Sequence, residues 1–275
     1  MRTIPVGSRP NKVQADQFAT PPSAVDGRGS FADFIGSLPR VLQAESLLSV
    51  VDALASAVEA MRAVVWMLGG HVVKTGIAPL LIDLMDRGAV TALAANGSAA
   101  IHDYEMARWG GTSEDVEAGL VDGTFGLADE TGREMNDAAR AGAASGWGLG
   151  ESFARALESR DDLAHPELSM LLAARRLGVG FTVHSAIGAE ITHQHPAADG
   201  AAIGATSHTD FRRLAAALVD LEDGVVLNIG SAVIMPEVFL KALTVCRNLN
   251  DGAPRRFVAA DFDMIRHYRP RLNVV

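Results

Sequence analysis

The sequence predicts an α/β fold with a doubly wound, mostly parallel sheet carrying helices on both faces. Two observations carry that expectation. Short apolar runs alternate with stretches of helical periodicity from about residue 60 to the end of the chain. The clearest pair of such units, Gly69 to Asp103, is joined by turns of only a few residues, as crossover connections are.

Taken in order, Phe31 to Met61 is helical in composition and breaks near Pro39. Ala63 to Leu68 (AVVWML) is a continuous apolar run suited to a buried parallel strand. A helix follows with apolar residues at Ile77, Leu80, Leu81, Leu84 and Met85, one stripe facing a sheet. Thr75 is placed to cap its start, Pro79 is tolerated in its first turn, and Gly88 ends it in a left-handed conformation. Ala89 to Ala95 is the second strand, and Asn96-Gly97-Ser98 leads into the next helix. Residues 110–159 are polar and rich in glycine and alanine, an excursion from the sheet with helices near Glu130 to Ala144 and Gly150 to Leu157. Pro166 to Leu177 is a helix, Gly180 to Ile187 a strand, Ser207 to Leu221 a helix and Gly224 to Ile229 a strand. Pro236 to Leu249, with proline in its first turn, and Phe257 to Phe262 supply the last helix and strand.

Composition narrows the function classes. A chain of 275 residues with 48% hydrophobic content can bury one sizeable core. Residues 1–29, rich in proline, glycine, serine and charge, read as a flexible arm, with residues 30–275 as one domain. The net charge of -9 at pH 7 argues against a nucleic-acid partner or a polybasic membrane contact. No stretch reaches the roughly 18 uninterrupted apolar residues of a membrane span. A lone cysteine, Cys246, forms no intrachain disulfide and fits a reducing cytoplasm. Only three lysines occur, Lys12, Lys74 and Lys241, so chemistry that needs an amine nucleophile has few candidates.

Three small-residue turns open at what should be one edge of the sheet: Gly69-Gly70-His71, Asn96-Gly97-Ser98 and Gly230-Ser231-Ala232. Glycine lets the main chain approach a pyrophosphate, and helix N-termini present unpaired N–H groups there. None of the three matches G-x-G-x-x-G, and the same glycines would also serve tight packing at strand-helix corners. Both readings stay open at this point.

The stretch from Gly70 through Ser98, the run GGTSEDVEAGLVDGTFGLADETG (Gly110 to Gly132) and DLEDGVVLNIGSAVIMPEVFLKA (Asp220 to Ala242) together resemble the deoxyhypusine synthase family, above all its shorter bacterial members. The resemblance implies a Rossmann-like NAD-binding fold, a homotetramer with active sites shared between subunits, and NAD-dependent chemistry on spermidine or a related polyamine. It places cofactor contacts at Gly70, His71, Thr75, Gly76, Asn96, Gly97, Ser98, Asp103, Gly188, Gly230, Ser231 and Ala232. Carboxylates that would hold ammonium groups are Asp129, Glu130, Glu190, Glu237, Asp261 and Asp263; the acidic run Glu114, Asp115 and Glu117, otherwise exposed helix-start residues, would serve likewise. The chain departs from the family where the chemistry lies. Where the family shows three glycines, two variable residues and then Lys-His-His, this chain reads Gly230-Ser231-Ala232-Val233-Ile234-Met235-Pro236-Glu237, and no lysine follows Lys241 to take the role of the imine-forming lysine. Arginine cannot form that imine, so hydride transfer is expected in preference to aminobutyl transfer.

Catalytic candidates are then His71 and His102 as bases, Lys74 as an amine in the first turn, and His195. His184, His193 and His195 lie close in sequence and raise one alternative, a metal-dependent hydrolase. Without H-E-x-x-H or clustered cysteine, no metal site is assigned. A cofactor-binding or scaffold protein without catalysis is the other alternative.

Overall fold

The computed structural model describes Pro5, Ser8, and residues 14–21 and 29–275. Most of the expected arm lies outside the described residues; within it, Ala15–Gln17 forms a 3-10 turn. The chain divides into two compact units, Met1–Ala55 and Ser56–Val275. The first holds α1 (Phe31–Ser37) and the greater part of α2 (Leu42–Glu59). Ser30 caps α1 reciprocally: its Oγ accepts from Asp33 N–H at 3.1 Å, and Asp33 accepts from Ser30 N–H at 2.8 Å. The helix stops at Leu38 because a residue before proline is pushed out of the helical region.

The second unit is built on five strands: β1 (Val64–Leu68), β2 (Ala92–Asn96), β3 (Gly180–His184), β4 (Val225–Ile229) and β5 (Val258–Phe262). They pair in the order β3-β2-β1-β4-β5, every pair parallel. The sheet is the doubly wound, Rossmann-like arrangement the sequence predicts. β2 starts three residues later than expected because Thr91 is used sideways, its Oγ accepting from Val64 N–H at 2.8 Å.

Ten helices of the second unit surround the sheet or extend from it: α3 (His71–Lys74), α4 (Ala78–Asp86), α5 (Gly97–Trp109), α6 (Val116–Asp122), α7 (Asp129–Ser145), α8 (Leu149–Glu158), α9 (Met170–Leu177), α10 (Gly200–Ala217), α11 (Ile234–Leu249) and α12 (Tyr268–Asn273). One face of the sheet, Val65, Met67, Ala92, Ala94 and Val226, packs with Leu214 of α10 and with Met235, Phe239 and Leu243 of α11. The alternate residues, among them Trp66, Leu68, Leu93 and Leu227, are equally buried, and α5, α8 and α9 lie along β2 and β3. Burial on both faces is why these strands read as unbroken apolar runs.

Three expectations about helices are corrected. Thr75 does not start the helix after β1; its N–H and Oγ bond to the His71 carbonyl at 2.9 and 2.8 Å and close α3 instead. α4 begins at Ala78, which puts Ala78, Leu81 and Met85 on its buried face and leaves Leu80 65% exposed. α10 begins at Gly200, seven residues ahead of expectation, because Asp199 caps it through Ala201 N–H and Ala202 N–H at 2.9 and 3.1 Å. α6 begins at the acidic run that reads as helix-start residues, with Asp115 capping it through Ala118 N–H at 3.1 Å, but its extent was not foreseen, since its apolar residues Val116, Leu120 and Val121 are exposed and trace no buried stripe.

The outer edge of β3 is closed by side chains of α10. Val183 N–H donates to Asp210 Oδ2 at 2.8 Å, Ser185 N–H donates to Ser207 Oγ at 3.0 Å, and that hydroxyl donates to the Val183 carbonyl at 3.3 Å. A helix thereby satisfies groups that would otherwise seek another strand. β3 ends at His184 rather than Ile187 because Ser185 is already turned toward Ser207.

Candidate functional site

A cleft of about 500 Å³ opens outside the carboxyl ends of β1 and β2, where ligands gather in open α/β sheets. Its floor is one face of α5. Ser98, His102, Glu105 and Trp109 recur at helical spacing and all line it. The loop from Gly111 to Glu114, then Val116 and Phe125, forms a second wall, and Lys74 and Glu190 enter from the ends of α3 and of the loop after β3.

Asn96 positions α5 by capping it, its Oδ1 accepting from Ala99 N–H at 3.0 Å. The second wall is fastened by carboxylates. Glu114 accepts from Gly126 N–H at 3.0 Å, and Glu105 accepts from the hydroxyls of Thr112 and of Thr131, the latter at 2.9 Å. His102 Nδ1 lies 2.7 Å from Thr112 Oγ. Burial, followed by the positive fields of Lys74 and His71, pushes the His102 imidazole down to about 4, so it is neutral near pH 7. Three carboxylates, Glu105, Glu114 and Glu190, face a single cation, Lys74, with Trp109 and Phe125 as aromatic walls. That lining suits a positively charged ligand with an apolar body.

The corner glycines test whether a dinucleotide fits the rim. A methyl group at Gly69 would overlap the Gly230 carbonyl, one at Gly70 would overlap Ser98 Oγ, and one at Gly97 would overlap the Glu190 carboxylate. The corners do converge, but protein atoms fill the space that Gly69, Gly70 and Gly97 leave, while Gly230 has only Val72 Cγ2 near it at 3.9 Å. Glu190 also stands at the α5 N-terminus, where a pyrophosphate would have to lie, and repels it. A pyrophosphate does not fit on these corners as they stand.

Of the residues expected at a site, Lys74, Ser98, His102 and Glu190 line the cleft. Gly70 and Gly97 pack beneath it, Asn96 acts as a cap, and His71 is exposed at the start of α3. The remaining expectations are placed elsewhere. Asp103 is fully buried and accepts from Ser169 Oγ (2.7 Å), Met170 N–H (2.7 Å) and Leu171 N–H (3.2 Å), so its carboxylate is spent on the start of α9. Thr75 and Gly76 close α3. Gly230 supports Gly69, Ser231 accepts from Met235 N–H at 3.2 Å at the start of α11, and Ala232 follows it there, away from the cleft lining. Gly188 donates to His193 Nδ1 at 3.1 Å. Asp129 pairs with Arg133 at 3.3 Å and with His195 at 3.5 Å, while Glu130 is exposed beside it. Glu237 binds Lys241, Arg269 and Asn273 and fastens α12 to α11. Asp261 accepts from Asn228 at 2.6 Å, and Asp263 lies 3.6 Å from His267.

The histidine cluster does not assemble. His184 is buried against Thr182 at 3.0 Å, His193 meets Glu190 at 3.2 Å, and His195 packs on Gly132. Among the described residues no group of three or more histidine, cysteine, aspartate or glutamate side chains could hold a metal. Ser185, His193 and Glu190 touch one another but do not form a nucleophile and base. His193 Nδ1 accepts from Gly188 N–H, so Nε2 carries the proton and cannot take one from Ser185 at 3.1 Å, whose hydroxyl donates to Glu190 at 2.8 Å.

Glu114, one of the carboxylates expected to hold an ammonium group, lines the cleft, whereas Glu105, Trp109, Thr112 and Phe125 were not foreseen as site residues. The signal for Glu105 and Trp109 was the shared helix face of residues 98, 102, 105 and 109. Thr112, Glu114 and Phe125 come from a loop whose path no periodicity encodes.

No protein-family model matches the chain, and no curated protein does. Among solved structures it is similar to ArgZ, an arginine dihydrolase from the ornithine-ammonia cycle in cyanobacteria, at 16% identity and a TM-score of 0.45 over 73% of this chain and 26% of that one. AgrE, solved as a ternary complex with ornithine and NAD+, aligns at 19% identity and a TM-score of 0.42 over 70% of this chain and 25% of that one. A LOR/SDH protein from Methanococcus maripaludis S2 aligns at 13% identity and a TM-score of 0.42, over 78% and 62% of the two chains. The chain spans about a quarter of the length of ArgZ and AgrE, and likenesses at this level bear on no residue or reaction here. Among the described residues no helix is long and apolar enough to cross a membrane.

Proposed function

We propose that this chain is a deoxyhypusine synthase-like enzyme whose cleft takes a small amine or polyamine of the spermidine type. The observation that carries the reading is the lining itself, three carboxylates and two aromatic rings against one lysine, at the carboxyl edge of a doubly wound parallel sheet. Carboxylates hold ammonium groups by charge-assisted hydrogen bonds, and the rings pack on the methylene chain between them.

NAD is the cofactor that the sequence resemblance implies, and oxidation of the amine is the reaction it would supply. The filled corners weigh against a pyrophosphate lying on them. They favour, as a second reading, a chain that binds the amine without turning it over. Lys74 is exposed on α3 at the mouth of the cleft and is the one lysine at the site. Aminobutyl transfer through an imine would have to use it. A homo-oligomer, a tetramer on the same resemblance, and a cytoplasmic location belong to this reading too.

Trp109 gives the experiment its signal. Titration with spermidine is expected to change tryptophan fluorescence saturably, with Glu114→Gln weakening or abolishing the response. Turnover is read separately, as reduced nicotinamide formed from NAD and spermidine. Binding with turnover supports the enzyme, binding alone supports the second reading, and absence of binding overturns both.

A further inference from the structure

The hydrogen bonds around His102 have only one consistent direction. A carboxylate only accepts, so the Thr112 hydroxyl spends its single proton on Glu105. Its oxygen, 2.7 Å from His102 Nδ1, is then left as an acceptor, and His102 must carry its proton on Nδ1. Glu105 is held in place by Thr131, whose hydroxyl donates to its other oxygen at 2.9 Å. The imidazole thus has a bare Nε2, with no protein donor on it among the described residues, on a side chain that lines the cleft.

We propose that Glu105 and Thr112 are positioning residues that fix His102 as the Nδ1–H tautomer, so that its Nε2 is a dedicated hydrogen-bond acceptor selecting ligands with an N–H donor. This rests on the reading of the cleft as an amine site. Coulomb attraction from Glu105, Glu114 and Glu190 draws in any cation, whether or not it can donate a hydrogen bond. A bare imidazole nitrogen separates the two kinds: it accepts from a primary ammonium and gains nothing from a quaternary one. Lys74 and His71 on α3, with Glu105 on its own helix, are the charged or titratable groups around the ring, and burial with the two α3 residues keeps it neutral. Neutrality matters because a protonated ring would donate at both nitrogens and repel the ligand it is meant to hold.

The first test needs no ligand. Two-bond proton–nitrogen correlation spectra of the full chain distinguish a protonated ring nitrogen from a bare one. His102 is expected as Nδ1–H, retained in Thr112→Ser, mixed in Thr112→Val, and reversed to Nε2–H in Glu105→Gln. In the last case the new amide donates to Thr112, whose proton is then released to Nδ1. A wild-type ring found as Nε2–H or as an equal mixture overturns the proposal, and so does a Glu105→Gln ring that stays Nδ1–H. If Thr112→Val does not fold, the serine and glutamine variants still decide it.

The second test compares butylammonium with butyltrimethylammonium by calorimetry. The wild type and Thr112→Ser are expected to prefer the primary ammonium by about tenfold more than Glu105→Gln does, the worth of one hydrogen bond involving a charged group, while Thr112→Val, with its tautomer mixed, falls between them. An unchanged preference in Glu105→Gln refutes the selecting role. Failure of both cations to bind, with the tautomer as expected, refutes the amine reading of the cleft and leaves the hydrogen-bond chain standing.

Discussion

Asp103 was expected beside a cofactor and is found holding the start of α9, which makes its removal a sharp test of the structure. Its carboxylate is fully buried and accepts three hydrogen bonds, from Ser169 Oγ, Met170 N–H and Leu171 N–H, at 2.7, 2.7 and 3.2 Å. Asp103→Ala leaves the two N–H donors without their acceptor at a position that is 0% exposed. A buried donor left unpaired costs about 1–3 kcal/mol, so two of them, with the lost bond from Ser169, come to roughly 3–5 kcal/mol. In a unit of this size each kcal/mol shifts the melting temperature by roughly 2–4 °C, which places the expected fall at about 10 °C. Asp103→Asn should cost less, since the amide oxygen still accepts from Met170 while its NH2 group opposes Leu171 N–H. Denaturant melts at neutral pH, followed by circular dichroism, measure both. A loss under about 1 kcal/mol in the alanine variant would refute the capping role. A folded variant that lost spermidine binding while keeping its stability would restore the ligand-contact reading.

Gly69→Ala should destabilise by more than about 1–3 kcal/mol, since the new methyl group meets the Gly230 main chain, which has no side-chain freedom to yield; a chemical melt with wild-type stability would count against the close packing of the two corners. Burial, opposed by their hydrogen bonds, raises Asp103 and Asp210 to about 6 in the folded chain, above their unfolded range. The stability that comes from protonating them is therefore full below about pH 4 and is lost as pH rises through about 6, leaving their hydrogen bonds in place, and Asp210→Asn should flatten that part of a pH–stability profile. Glu190→Ala removes the carboxylate from the α5 N-terminus and should raise affinity for inorganic pyrophosphate; calorimetry showing no gain would mean that Glu190 is not what keeps the anion out. Trp109→Phe should retain amine binding where Trp109→Ala loses it, because either ring can pack on the ligand chain.

How much of this was legible in the sequence depends on what each residue answers to. Strands such as AVVWML announce themselves because both faces are buried, and the five of them were found to within a few residues. Break and cap signals at Pro39 and Gly88 are local and were readable for the same reason. The glycine corners were correctly placed at one rim, but their purpose was not legible: a glycine needed for a phosphate and one needed for a neighbouring carbonyl look alike until the neighbour is located. Asp103, Glu237 and Asp261 show the same limit, since a carboxylate that holds a helix together and one that would hold an ammonium group differ only in their partners. The loop carrying Thr112, Glu114 and Phe125 lies furthest from any sequence rule, being fixed by bonds to Glu105, Gly126 and Gln194 that span up to 69 positions.

The arrangement of α10 along β3 has a consequence for how this molecule meets others. Asp210 and Ser207 occupy the main-chain groups that an incoming ribbon of polypeptide would need, and Gly150 lets α8 crowd the Phe181 carbonyl on the same border. Zipping of further chains onto that side, whether as an ordered assembly or as the start of a fibril, is sterically and chemically forbidden for as long as the helix stays docked. Loosening of α10 would therefore be the event to watch in any study of aggregation.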